Sequence, residues 1–355
     1  MIEQVRGNLL EADAEALVNT VNTVGIMGKG IALQFRQAYP EVYAEYRRAC
    51  AHDELRPGSV QVVPIQRLGG PKYVINVPTK RHWKGKARLT DIDSGLRALT
   101  KAIREYGITS VAVPPLGCGN GGLDWRDVEP RIRRVLGSLD GVRVLVYPPD
   151  GAPAANRMPV ATKRPRMTAV RAAIILLLKR YGMPGYKLSL LEIQKLAYLL
   201  EKGGEPLRLD FAKDKFGPYS EKLHHVLQPL EGHYIRGYGD RSANSSIAVT
   251  DEAVHEAMLA LEGHTDSQQH LHDVAKVIQG FETPYGMELL ATVHWVANED
   301  ESAAADARAA VQAVHRWNAR KRRTFTPKHI EVAWQRLSDA GWLRAGQVPS
   351  SDPAP

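Results

Sequence analysis

Val18-Asn-Thr-Val-Asn-Thr-Val-Gly-Ile-Met-Gly-Lys-Gly-Ile-Ala32 carries a β-rich run into a glycine-rich turn and then into a helix. Gly25, Gly28 and Gly30 let the backbone approach a bound group closely. The start of the following helix offers N–H groups with no intrahelical partner. Both features suit an anion. The spacing is neither the G-x-x-x-x-G-K-[ST] of a P-loop nor the G-x-G-x-x-G of a dinucleotide fold. Taken alone, it leaves a structural turn as good an explanation as a binding loop.

The flanking chain sets the fold class. Ala16–Asn19, Ser59–Val63, Tyr73–Val77, Ser110–Val113 and Val142–Tyr147 are short β-rich runs, several of them apolar on both faces, as strands covered on each side by helices are. Helical patterns lie between them. Ile31, Phe35 and Ala38 mark one face of a helix that Pro40 stops. Over Thr90–Tyr106, Ile92, Leu96, Leu99 and Ile103 recur on one face, and Thr90 with Asp93 reads as a capping box. Trp125–Leu139 is a third helix. The alternation predicts an α/β sandwich around a mixed or mostly parallel sheet over residues 1–150.

A second glycine cluster changes the standing of the first. Pro114-Pro-Leu-Gly-Cys-Gly-Asn-Gly-Gly-Leu-Asp-Trp125 also follows a strand and precedes a helix, with four glycines between Gly117 and Gly122. Ordering glycine loses the most chain entropy, so a merely structural loop would use fewer. Two such junctions in one α/β domain form two anion-holding edges of one cleft, as a diphosphate requires.

These residues resemble the macrodomain family over about residues 1–150. The resemblance rests jointly on Gly7-Asn-Leu-Leu10, Val18-Asn-Thr-Val-Asn22, Gly28-Lys-Gly-Ile-Ala32 and Pro114–Leu123. It implies an α/β/α sandwich that binds ADP-ribose. Asn8, where many members carry aspartate, and Leu9 would lie by the adenine. Asn22 would face the distal ribose, and Gly28, Gly30 and Ile31 would clasp the diphosphate. The second loop, with Gly117, Cys118, Gly119, Asn120, Gly121, Gly122 and Leu123, would do so from the other side.

Thr79-Lys80 follows the Tyr73 strand and so sits at a strand end. By itself Lys80 reads as an exposed lysine in a basic segment with Arg81, Lys84, Lys86 and Arg88. The pair and the helix after it resemble the macrodomain branch of ADP-ribose hydrolases that place a lysine near the anomeric carbon. That branch includes enzymes that act on glutamate-linked ADP-ribose and antitoxins that remove ADP-ribose from thymidine in single-stranded DNA. The resemblance implies Lys80 as the catalytic residue and Thr79 as a substrate contact. A lysine can form a Schiff base with the sugar or stabilise an oxocarbenium-like transition state. The residues leave both open.

The glutamate-directed members carry an aspartate where this chain has Gly121, while Asp124, three places on, doubles as an N-cap candidate. The DNA-directed antitoxins are the better match. Trp83 among Lys84, Lys86 and Arg88 suits a single strand through stacking and phosphate attraction, and suits equally a solvated loop with one packed tryptophan. His82 reads as an exposed loop histidine and Cys118 as a small packed residue. A reader of ADP-ribose without turnover, and a hydrolase of protein-linked ADP-ribose, are the alternatives.

Composition bounds the rest. The 355 residues suffice for two ordinary domains, and 44% hydrophobic with 24% charged residues is ordinary for a globular chain. Ile174–Leu178 is apolar but too short for a bilayer, and Met1–Leu10, with Glu3, has no signal-peptide core, so a cytoplasmic location is expected. Cys50 and Cys118 support neither a disulfide framework nor a zinc site, and no metal or cofactor is expected. A net charge of +8 permits a polyanionic partner.

Residues 151–167, rich in Pro and Ala, read as a linker, residues 168–345 as a mainly helical domain, and 346–355 as a disordered tail. Candidate helices are Thr168–Tyr181, Ser189–Lys202, Asp251–Glu262, Ser302–Lys321 and Pro327–Ala340. Lys187–Leu200 with Phe211–Ser220 resembles the Panacea-type helical domains of antitoxins, and this implies binding of a cognate DNA ADP-ribosyltransferase toxin. Leu188, Leu191, Ile193, Leu196, Leu199 and Leu200 read as core, Pro218 as the opening of a helix, and Arg316–Arg323 as a solvated basic face.

Overall fold

The computed structural model describes residues 1–67, 69–150, 158–182, 188–239 and 247–343. The chain divides into two compact units, Met1–Arg164 and Pro165–Pro355. The first part of the expected linker, 151–157, and the expected tail, 346–355, lie outside the described residues, as does Lys187.

The first unit runs β1 (Ile2–Gln4), β2 (Ala16–Val21), α1 (Gly30–Ala38), α2 (Pro40–Ala51), β3 (Gln61–Pro64), β4 (Tyr73–Pro78), α3 (Leu89–Glu105), β5 (Ser110–Val113), α4 (Trp125–Leu136) and β6 (Arg143–Val146). The strands form one mixed sheet in the order β1-β6-β5-β2-β4-β3, with only the β3–β4 pair antiparallel. Strand alternation sends successive residues to opposite faces. Ala16, Val18, Ile75, Val77, Val111, Val113, Val144 and Val146 pack under Ile92, Leu96, Leu99 and Ile103 of α3 and Val128, Ile132 and Leu136 of α4. Leu17, Val74, Ala112 and Leu145 face the other way, onto Phe35, Ala38, Tyr39 and Val42. The result is the expected α/β/α sandwich. Each fully buried leucine or isoleucine of α3 contributes about 1.5–3 kcal/mol by leaving water.

Topology positions the cleft. From β2 the chain crosses through α1 and α2 to β3 and β4, and from β4 it returns through α3 to β5 on the other side of β2. The carboxyl ends of β2, β4 and β5 therefore lie side by side, where open α/β sheets bind ligands.

Several local expectations are corrected. Pro40 both follows the end of α1 and occupies the first turn of α2, a helix the sequence pattern did not reveal. The helix expected from Thr90 begins at Leu89 with Arg88 at its N-cap and no side-chain cap, so Thr90 and Asp93 form no capping box. Asp93 pairs with Arg131 instead, at 3.3 Å. Residues 158–164 of the expected linker belong to the first unit: Met158 packs with the Leu17 face, and the Ala161 N–H donates to the Gln37 carbonyl at 2.8 Å.

The second unit contains α5 (Ala169–Tyr181), α6 (Leu190–Lys202), the hairpin β7 (Ala212–Asp214) and β8 (Gly217–Tyr219), and α7 (Leu223–Leu230). There follow the short pair β9 (Ile235–Arg236) and β10 (Ala248–Val249), and then α8 (Asp251–Ala260), α9 (Thr265–Ile278), α10 (Pro284–Glu299), α11 (Glu301–Ala305), α12 (Ala307–Trp317), α13 (Ala319–Thr324) and α14 (Pro327–Asp339). It is mainly helical, as expected. Leu188, Ile193, Leu196, Leu199 and Leu200 are buried and Leu191 is half-buried. Ser189 and Glu192 close a full capping box.

Pro218 lies in β8 and opens no helix. The expected single helix over Ser302–Lys321 is broken twice, because Asp306 and Asn318 each cap a new helix by accepting a backbone N–H. Arg316–Arg323 is not a solvated face throughout. Lys321 is fully buried, donating to Glu288 at 2.8 Å and to the Thr292 hydroxyl at 2.7 Å, and Arg320 grips the same carboxylate at 2.5 and 3.1 Å. Lys195 of α6 is buried too and donates to the Pro218 carbonyl at 2.6 Å. Burial, then repulsion from Lys321, pulls Lys195 down to about 7. Among the described residues no helix is long and apolar enough to cross a membrane.

Candidate active site

The first loop leaves β2 at Asn22, which is buried, and turns on Gly25 with φ +76°. The Asn22 side chain closes the turn: Oδ1 accepts from the Val24 N–H at 3.0 Å and the Ile26 N–H at 3.5 Å, while Nδ2 donates to the Ile26 carbonyl at 2.6 Å. Beneath it the fully buried Tyr46 hydroxyl lies 2.9 Å from the Asn22 carbonyl oxygen and 3.0 Å from Oδ1. The Asn22 carboxamide is thus engaged by the loop itself.

The loop then reaches α1, whose N-cap Lys29 makes no side-chain cap bond. Gly30 has φ +54°, a backbone that disfavours a side chain. A Cβ there would meet the Asn120 side chain at 3.1 Å. Gly30 and Asn120 thus come together, and the two glycine loops meet at the start of α1.

The second loop has no room for side chains at two of its glycines. A Cβ at Gly121 would overlap the Gly117 carbonyl oxygen and press on the Ala87 methyl at 2.9 Å. Gly117, at φ +73°, would collide with Leu123 at 2.9 Å. The Gly122 N–H donates to Gly119 at 3.0 Å and the Leu123 N–H to Gly117 at 3.1 Å, which ties the loop into a compact knot. Asp124 caps α4 by accepting from the Arg126 N–H at 2.9 Å and pairs with the Arg126 guanidinium. It is therefore committed to the helix. Cys118 is half-buried, and burial, with help from Asp124, pushes its thiol up to about 11; it is no nucleophile at neutral pH.

Lys80 extends from the end of β4, where the Thr79 N–H, itself buried, donates to the Val21 carbonyl at 3.0 Å. The Lys80 ammonium donates to the Asn120 carbonyl at 3.0 Å and to the Trp83 carbonyl at 3.2 Å. Partial burial, and then repulsion from Lys29, lower its proton affinity below that of an ordinary lysine. The lysine loop is fixed at both ends. Thr23 donates its N–H and hydroxyl to the Arg81 carbonyl, at 3.3 and 2.8 Å, and the Ala87 N–H donates to Gly121 at 3.0 Å. Arg81 also pairs with the buried Asp91 in the first turn of α3 at 3.1 Å. His82 is exposed, its ring centroid 5.5 Å from that of the half-buried Trp83, and the Lys84 ammonium sits 4.8 Å over the indole.

Asn8 and Leu9 lie in the connection between β1 and β2. Asn8 caps a short helical turn over Leu9–Glu11 by accepting from the Leu10 N–H at 3.1 Å, and Leu9 is buried. The Asn8 Nδ2 is a buried donor without a protein partner. The sequence reading missed four residues here. Tyr46 sits on the unforeseen helix α2, Lys29 was legible as a lone cation inside a glycine loop, and the exposed Val24 and Ile26 stand out only once the turn is seen.

The Macro domain model matches residues 18–132. A DNA ADP-ribosyl glycohydrolase of Thermus aquaticus is 46% identical over 344 residues, covering 97% of this chain and 95% of the relative. One of Mycobacterium tuberculosis is 44% identical over 353 residues, covering 95% of this chain and 99% of the relative. A DNA ADP-ribosyl transferase-DNA ADP-ribosyl glycohydrolase fusion protein of Thermosipho africanus is 35% identical over 160 residues, covering 41% of each chain. With near-complete coverage at this identity, the chain belongs to the DNA ADP-ribosyl glycohydrolase family of macrodomain hydrolases.

Proposed function

We propose that this chain releases ADP-ribose from thymidine in single-stranded DNA, with Lys80 as the catalytic residue of the first unit. The observation that carries it is the Lys80 amine, held by two backbone carbonyls beside the second glycine loop with its proton affinity lowered. A reader that only held ADP-ribose would have no use for such a group. In the reaction the glycosidic bond breaks with its electron pair going to the base. A water oxygen bonds to the anomeric carbon, and the proton lost by that water neutralises the leaving base. Lys80 serves the carbon where positive charge develops, either by direct bonding or by assisting the water.

Gly28, Gly30 and Ile31 on one side, and Gly117, Cys118, Gly119, Asn120, Gly121, Gly122 and Leu123 on the other, hold the diphosphate. Asn8 and Leu9 take the adenosine end, and Thr79 and Asn22 bound the distal ribose. The packed backbone at Gly121 favours DNA over a glutamate ester, because a catalytic aspartate has no space there. Trp83 with Lys84 over its ring suits a stacked base and a phosphate.

We further propose that residues 168–345 bind the cognate ADP-ribosyltransferase toxin, a pairing supported by the fusion of the two activities in one Thermosipho chain. An oligonucleotide carrying ADP-ribose on thymidine, incubated with the full chain beside an ADP-ribosylated protein, tests the substrate. Release from the protein alone would overturn it.

A further inference from the structure

Val24 and Ile26 are 44% and 42% exposed, two of the four large apolar side chains of the first unit that stand in solvent among the described residues. Scattered exposed apolar residues need no explanation. These two do, because the turn that presents them is braced from below and from the side. The Asn22 side chain bonds both of their N–H groups and the Ile26 carbonyl, the buried Tyr46 hydroxyl supports Asn22, and Thr23 is fastened twice to Arg81. A buried asparagine and a buried tyrosine are thus spent on holding two β-branched apolar side chains out in water. They stand next to the loop that bears Lys80, whose other arm carries the half-buried Trp83.

We infer that Val24 and Ile26 form a subsite for the nucleobase from which ADP-ribose is released, an apolar ledge that takes the ring face and methyl group of a pyrimidine. The inference rests on the proposed action on DNA and adds the residues that recognise the leaving group. The glycine loops bind the phosphates through backbone donors, which a base does not need. A flat, weakly hydrated base ring gains most from a fixed apolar contact. The rigid turn matters because the ledge then loses no side-chain or loop entropy on binding. The ledge lies in the first loop at the Gly25 turn, ahead of Gly28, Gly30 and Ile31 that are proposed to hold the diphosphate, so it discriminates the base without altering affinity for free ADP-ribose.

The test is the double variant Val24→Thr/Ile26→Thr in the full chain, which leaves the Asn22 bonds to the backbone in place. Two quantities are measured on it and on wild type: affinity for free ADP-ribose, and kcat/KM for release from an oligonucleotide ADP-ribosylated on its base. A third is affinity of the Lys80→Ala chain, with and without the double change, for the same modified oligonucleotide. The ledge predicts a fall of about tenfold in kcat/KM and in modified-oligonucleotide affinity, with free ADP-ribose affinity unchanged within about twofold. Unchanged kcat/KM and oligonucleotide affinity would overturn it, and so would an equal loss for free ADP-ribose. Failure of wild type to act on the oligonucleotide would instead overturn the proposed DNA substrate.

Discussion

The Lys80 ammonium donates to the backbone carbonyl of Asn120 at 3.0 Å, joining the end of β4 to the second glycine loop. The contact places the amine at the mouth of the cleft between the two glycine loops, and it does so with neutral acceptors. Among the described residues no carboxylate is bonded to it to raise its proton affinity, whereas Lys29 lies near enough to lower it.

Replacing Lys29 by glutamine removes that repulsion, so the proton affinity of Lys80 rises toward the ordinary lysine value. The pH midpoint that Lys80 contributes to kcat/KM then moves to higher pH. The limb also separates the two chemical roles: activity that climbs through the midpoint marks the free amine, and activity that falls marks the ammonium. A midpoint that stays put in the Lys29→Gln chain would break the link between these two lysines.

Gly121→Asp should not convert the site to glutamate-ester hydrolysis. A side chain at 121 runs into the Gly117 carbonyl and Ala87, so the knot must open, at a cost of about 1–3 kcal/mol. Thermal unfolding is expected to fall by several degrees, with ADP-ribose affinity lost as the diphosphate loop moves. A variant of wild-type stability would show that the loop has room that the structure denies it.

Tyr46→Phe removes the hydroxyl beneath Asn22 and leaves a buried asparagine oxygen with one partner fewer. A loss of about 1–3 kcal/mol is expected, concentrated in the first loop. Hydrogen exchange at residues 22–27 should speed up well before the rest of the unit changes. Uniform acceleration across the sheet would mean that the tyrosine serves the core and not the turn.

The second unit has two pH windows of the same origin, burial of a base that carries charge when protonated. Lys195 and Lys321, pulled by burial to about 7 and about 8, bind protons more weakly folded than unfolded, so stability rises as pH increases from about 7 toward the ordinary lysine value of 10.5. His294, buried against the Tyr198 hydroxyl at 2.8 Å, is lowered to about 3, so stability is lost as pH falls from 6.5 toward that value. Exchange-derived opening energies of α6 and α10 should show both slopes, and Lys195→Met should flatten the alkaline one. An alkaline slope that is the same in the variant would remove Lys195 from the effect.

Much of this was legible in the residues. Strand alternation and the 3.6-residue period of Ile92, Leu96, Leu99 and Ile103 marked the sandwich, because those side chains face cores on fixed sides. The two glycine loops announced the cleft because positive φ and close backbone approach both need glycine. Helix α10 escaped notice for the opposite reason. Eleven of its sixteen residues are buried, so it has no polar face to give a period. Lys195 and Lys321 look like surface cations in any window of sequence. Only the fold sets Glu288 and the Pro218 carbonyl against them. The resemblance gives Asn22 a place by the distal ribose, but its second role, closing the turn over Tyr46, depends on a residue far along the chain and shows only in the fold.

Release of ADP-ribose from a single-stranded oligonucleotide modified on thymidine, by wild type and by Lys80→Ala, tests the account most directly. Wild type should release free ADP-ribose and regenerate the unmodified strand. Lys80→Ala should bind ADP-ribose with affinity close to wild type yet release it at least about a hundredfold more slowly. Release by Lys80→Ala at the wild-type rate would contradict the central claim.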